Sequence, residues 1–419
     1  MALFTERAPI EPWLATSIAA MSDARLIEAC IDAISRPKAG NKRTSFLLHA
    51  PLELLARAAL LPLVQLQQRD LARRRIAEIA VRYANAGEEL SIVEKRYESA
   101  SEAQAELLRA VASGDSDVAD AALCHVLQRM PITQIASDLF DPIAASYAAA
   151  AHAPILLAEL HRVAGRFTNA GLLVRAPLRY LASQPNARLN WLDASEALAS
   201  ESMPEEPTQL ARVLSKPEAI ALAEHSITAT LPAPESLGRY QRDLGAFAFK
   251  DVGAVARVLL RTAAHSMLQD DAKHAPYGWT HCLTLPLALL SNLPYSNNTQ
   301  RVCAMASAEV YAFRATMARV ALDFNWKPEP PTHREWIAAT PREAAAIVYH
   351  APENERSAYR EKLATEAAVH RDAHLAKYTL ACFDAAARDP EYESLYLAAA
   401  AYLNAWWREF DAERTGEPE

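Results

Sequence analysis

Apolar side chains return every three to four positions along most of this chain. They do so over Leu26 to Ile34, Leu47 to Leu60, Asp70 to Tyr83, Ser101 to Val111, Val118 to Leu127, Gln209 to Leu214, Val252 to Met267, Val302 to Leu322 and Glu355 to Val369, with a last long stretch from Tyr392 to Phe410. That period belongs to helices with a buried face; strands would alternate every second residue. No convincing run of alternating β-branched residues occurs, and alanine, the best helix former, abounds. The pattern predicts an all-α protein, a multi-helix bundle. Pro51, Pro62, Pro131, Pro142, Pro154, Pro177, Pro217, Pro276, Pro294 and Pro341 fall near the expected helix starts and stops, where a missing N–H costs least. The most linker-like stretch is Glu201 to Pro207 (ESMPEEP). It separates an N-terminal helical half, residues 1–200, from a C-terminal half, residues 208–419, and the two are expected to pack as one catalytic unit. Pro328 to Thr332 (PEPPT) marks a second break.

Composition narrows the function. With 419 residues, 51% of them hydrophobic, the chain can bury a large core. It has only 10 glycines, well under the usual ~7%. Neither G-x-G-x-x-G nor G-x-x-x-x-G-K-[ST] occurs, so Rossmann-type dinucleotide binding and P-loop chemistry have no sequence support. A net charge of -8 and the lack of a basic block argue against nucleic-acid binding. The stretch Arg69 to Arg75 is short and carries Asp70, as a solvated helix face does. The first residues, MALFTERAPIEPW, hold acids and prolines where a signal peptide needs an apolar core. No membrane span is expected, because the apolar stretch Ala144 to Leu160 is interrupted by His152, Pro154 and Glu159. Cys30, Cys124, Cys282, Cys303 and Cys382 are scattered and odd in number, which suits thiols in a reducing cytoplasm. The sequence allows a homodimer without requiring one.

Chemistry is concentrated in a few of the twelve histidines. His125, His161, His225 and His333 carry no constellation. His49 (FLLHAPLELLARAALL), His152 (AAAAHAPILLAEL), His281 (GWTHCLTLPLALL) and His374 (DAHLAKYTLAC) each sit in a strongly apolar, helix-like setting. One such histidine is ordinarily a satisfied core residue. Four together imply shared partners for their polar atoms, and a metal ion satisfies several imidazoles at once. His374 and Lys377 are three residues apart, on one helix face. Lys377 is one of nine lysines, against 34 arginines, and lies among Leu375, Tyr378, Leu380 and Ala381. A lysine there either snorkels to solvent or is neutral with a depressed pKa. A neutral amine can take up carbon dioxide as a carbamate, which is a carboxylate-like ligand. His370, four residues before His374, is a rival ligand.

The segments HAPLELLARAAL, THCLTLPLALLSNLP and DAHLAKYTLACFDAA resemble, in order and position, three motifs of the questin oxidase-like family. The resemblance spans His49 to Phe383. It implies an all-helical fold and oxidative chemistry, either ring cleavage or Baeyer–Villiger-like oxygen insertion, on anthraquinones and related aromatic polyketides. Ring-cleaving members resemble non-haem iron dioxygenases whose iron is held by four histidines and a carboxylated lysine. Carried onto this chain, the ligands are His49, His281, His374 and Lys377. His152, in AHAPILLAELHR, takes the remaining place, and Glu159 stands where that motif has its second histidine. Leu290 and Ser291 replace a usual arginine, which implies a different substrate. The expected cofactors are Fe(II) and a CO2-derived carbamate on Lys377; the expected partners are an aromatic small molecule and O2. A zinc hydrolase on the same ligands and a non-catalytic helical scaffold are the competing readings, and His152, Glu159 and His370 remain alternatives for completing the site.

Overall fold

The computed structural model describes residues 18–39, 44–167, 169–193 and 198–415. The N-terminal stretch read for a signal peptide lies outside them. The described residues form 19 α-helices and no β-strand, an all-α multi-helix bundle as the periodicity predicts. The first half holds α1 (Asp23–Ile34), α2 (Thr44–Leu60), α3 (Arg69–Ala84), α4 (Ala100–Ser113), α5 (Ser116–Leu127), α6 (Ile132–Ala144), α7 (His152–Arg162) and α8 (Arg175–Ser183). The second holds α9 (Glu206–Ser215), three short helices α10 (Ile227–Thr230), α11 (Pro232–Ser236) and α12 (Arg239–Leu244), then α13 (Val252–Gln269), α14 (Thr280–Ser291), α15 (Thr299–Met317), α16 (Pro341–Tyr349), α17 (Glu353–Val369), α18 (Ala373–Arg388) and α19 (Glu393–Thr415).

Four of these helices form a closed cycle. α2 packs on α7, α7 on α14, α14 on α18, and α18 back on α2. Two members come from each half of the sequence, so the ESMPEEP segment does not separate independent lobes around this core. Its last residues already open α9, where the buried Glu206 carboxylate accepts from the Ala248 and Phe249 amides. α2 is apolar and long enough, by length and composition over Ser45–Leu63, to cross a membrane, but 78% of that window is buried within the fold. Its apolar residues therefore face the protein core.

Two expectations are corrected. Pro51 does not mark a helix boundary; it lies inside α2 and removes one backbone hydrogen bond there. α15 stops at Met317 rather than Leu322. Beyond it the chain turns to meet buried polar groups: Arg314 pairs with Asp270 at 2.7 Å and holds the Val320 carbonyl, while the Arg319 amide donates to Asp270. α6, α8 and α16 are additional helices. In α8 the buried Arg175, paired with Asp120 of α5 at 2.7 and 2.9 Å, hides the apolar period by putting a charge on the inward face.

Candidate metal centre

Each helix of the cycle delivers one imidazole to its interior. His49 comes from α2, His152 from the first residue of α7, His281 from α14 and His374 from α18. Their ring centroids follow the same circuit: His49 to His152 is 4.4 Å, His152 to His281 5.6 Å, His281 to His374 5.1 Å, and His374 to His49 4.8 Å. One nitrogen from each of His49, His152 and His281 lies within 4.8 Å of the others. The Nε2 atoms of His49 and His374 are 3.2 Å apart. Residues separated by up to 325 positions thus converge on one point.

The hydrogen bonds at the backs of the rings fix what faces inward. His49 Nδ1 donates to the Ser45 carbonyl at 2.6 Å, and His281 Nδ1 donates to the Tyr277 carbonyl. A carbonyl only accepts, so both Nδ1 atoms carry the proton and both Nε2 atoms present a lone pair. His374 Nδ1 faces the Asp372 carboxylate at 3.2 Å, which sets the same tautomer. Burial holds the imidazoles of His49, His281 and His374 well below the ordinary histidine pKa, so near neutrality they are uncharged. Two uncharged Nε2 lone pairs at 3.2 Å repel unless a cation lies between them. The separation is the one spanned by two ligands each about 2.0–2.3 Å from a shared ion. His281 Nε2 is buried and has no hydrogen-bond partner among the described residues. A buried acceptor left in that state is costly. The donor set therefore fits a metal ion.

Local sequence explains how each ring is aimed. Ala275–Trp279 forms a π-helical turn ahead of α14 and carries Tyr277, whose carbonyl orients His281. Gly278 lets the turn pack closely: a Cβ there would meet the Met317 sulfur at 2.5 Å and push that side chain aside. His152 follows Ala150 and Ala151, whose φ values of 52° and 55° are in the left-handed region. Two such alanines cost roughly 1–2 kcal/mol each, and they turn the chain so that His152 heads α7. Asp372 caps α18 by accepting from the His374 amide at 2.7 Å and faces the same residue's ring. Tyr277 stands edge-on to His374 with centroids 4.9 Å apart.

Lys377 is one turn further along α18 and only 7% exposed. Burial pulls its pKa down to about 8, opposed by the Asp372 and Glu53 carboxylates. Its charge in turn lowers the pKa of the His49, His281 and His374 imidazoles further, after burial. It lines a small cavity of about 50 Å³ with Glu159, Thr284 and Asp384.

His370 does not share a face with His374. It ends α17 and a break separates the two, so its Nδ1 accepts from the Asp372 amide and its Nε2 meets Asp411 at 3.2 Å. Glu159, two turns along α7 from His152, is engaged by Arg162 at 3.0 Å instead. Periodicity did not reveal the buried pair of Glu53 and Arg57. Arg57 donates to Glu53 at 2.9 Å and to the carbonyls of Ala367, Ala368 and His370, capping the end of α17. This clamp fastens the α17–α18 turn to α2 and so holds His374 against His49. The spacing of Glu53 and Arg57, four apart on an otherwise apolar helix, was its only sequence signal.

No protein-family profile, no curated protein and no solved structure matches this chain.

Proposed function

We propose that this protein is a non-haem Fe(II)-dependent oxygenase that oxidises a polycyclic aromatic or polyketide-like substrate, by ring cleavage or Baeyer–Villiger-like oxygen insertion. The observation that carries the reading is the convergence of four imidazoles, His152 and His281 buried and His49 and His374 partly so, at the centre of the helix cycle, with the buried Lys377 one turn along α18 from His374. His49, His152, His281 and His374 would hold the ion, and Lys377 as its carbamate would add a harder, anionic oxygen donor of the kind that suits Fe(II). Bound there, iron supplies the one-electron and O2 chemistry that the side chains themselves lack.

The residues of the chain have definite tasks in this scheme. Ser45, Tyr277 and Asp372 keep the Nδ1 protons in place and turn the Nε2 lone pairs inward. The apolar walls of α2 and α14 exclude water. The neutral Lys377 amine attacks the carbon of CO2, its nitrogen loses one proton to solvent, and the product is a carbamate anion. That anion offsets the charge of a divalent cation in a site where neither would be stable alone. The five cysteines are all free and buried, in keeping with a reducing, cytoplasmic setting. The resemblance to the questin oxidase-like family supports the same substrate class.

The test is anaerobic loading with Fe(II) and bicarbonate, then oxygen-electrode recording with a polyhydroxylated anthraquinone. Substrate-dependent O2 uptake that requires iron is expected. Tight zinc binding with no O2 uptake would instead favour metal-dependent hydrolysis, and no metal binding would leave a helical scaffold.

A further inference from the structure

A second cavity, of about 300 Å³, opens beyond the one that Lys377 lines. The two share Arg162 and Asp384, so they abut at that ion pair. The inner cavity has room for little more than a water or two, whereas the outer one reaches the lower end of the range for small-molecule pockets. Its lining is unusual for this acidic protein: Arg162, Arg166 and Arg360 are joined by a single carboxylate, Asp384, and by the rings of Phe167 and Phe383.

These cations differ in how far they are already engaged. Arg162 donates to Glu159 and Asp384, at 3.0 Å each. Arg360 is held by Glu393 at 2.8 and 3.0 Å. Arg166 has no carboxylate within ion-pair distance among the described residues; its guanidinium lies 5.7 Å from the Phe167 ring centroid. Arg360 stands 5.2 Å over Phe383 in the same way. Guanidinium planes beside aromatic faces, one of them without an anionic partner, form a surface for a flat ring that carries a negative charge.

We infer that the outer cleft is the docking site for a planar aromatic anion, a ring bearing a carboxylate or phenolate, with Arg166 as the residue that selects for charge. The inference rests on the proposed oxygenase reading for what becomes of the ligand, since the inner cavity that abuts the cleft is the one Lys377 lines. Arg162 sits where the two cavities meet, and Arg360 and Arg166 line the outer one. A neutral ring of the same shape gains the stacking but not the ion pair.

Binding is tested on the metal-free full chain, so that the outcome does not depend on iron. The probe is 1-hydroxy-2-naphthoate, titrated by its fluorescence, with neutral 2-naphthol as the control. Saturable binding of the naphthoate is expected, weakened about tenfold or more by Arg166→Glu and largely retained by Arg166→Lys. The naphthol should bind wild type and Arg166→Glu alike. Arg166 is exposed, and unchanged circular dichroism of the variant will show that the fold is kept. Absence of saturable binding, or equal affinity of wild type and Arg166→Glu for the naphthoate, would overturn the inference. Failure here with iron binding intact strikes the cleft alone; loss of iron binding with naphthoate binding intact strikes the oxygenase reading alone.

Discussion

In the proposed centre, Lys377 is the side chain whose ionisation matters most. An ammonium buried in the core is unfavourable, and burial lowers its pKa from the usual lysine value to about 8. The sign of the resulting pH dependence follows directly. Below about pH 8 the amine is mainly protonated and cannot react with CO2; above it the neutral amine predominates. Metal uptake in the presence of bicarbonate should therefore rise as pH is raised through about 8, and bicarbonate should cease to matter in Lys377→Met. That variant replaces the stem with an apolar one of similar volume, so the fold should persist. The buried charge also costs stability in the metal-free protein. The cost is full below the folded-state pKa and is relieved as pH rises from about 8 toward the unfolded value of 10.5. Metal-free Lys377→Met should accordingly be more stable than wild type at neutral pH, with the gap closing in alkali. Urea titrations across that range, with metal analysis alongside, check both statements. Equal bicarbonate dependence in wild type and variant would remove Lys377 from the ligand set.

Helices set the precision with which these side chains meet. The histidines were legible in the sequence because each stands out as a polar residue in an apolar helical stretch. The His374 and Lys377 spacing was legible because three residues make nearly a turn. His370 misled because a four-residue spacing implies a shared face only inside one helix, and here a helix ends between the two. That break is marked locally by the Asp372 cap of α18, and Arg57 holds the carbonyls on its α17 side from across the fold. Removing this guanidinium leaves Glu53 buried without its partner and the α17 carbonyls uncapped. Arg57→Leu should destabilise the protein by about 3–5 kcal/mol. Where the variant still folds, metal affinity should fall as well, since the α17–α18 turn no longer anchors on α2. A shift of the urea midpoint with unchanged slope, measured beside metal affinity, would register both. Full retention of stability would show that the clamp does not support the fold. The left-handed alanines before His152 were equally unreadable, because alanine gives no sign of positive φ until the chain path is seen.

At the scale of the whole molecule, the two halves of the sequence meet at a centre to which each contributes two helices. Fold class could be read from periodicity alone because nearly every segment repeats at the helical period. The cycle of α2, α7, α14 and α18 could not, since its members are brought together from His49 to Lys377 across the intervening bundle. The four histidines that stand out in apolar stretches of the sequence, His49, His152, His281 and His374, do come together at this centre. The most direct test is metal stoichiometry, combined with X-ray absorption at the iron edge, on protein loaded anaerobically with Fe(II). About one ion per chain is expected, with histidine nitrogen among its ligands at about 2.0–2.3 Å, and the triple variant His49→Gln, His281→Gln, His374→Gln should lose it while remaining helical. A folded wild-type protein that retains no metal, or a triple variant that retains it in full, would contradict the assignment of this centre.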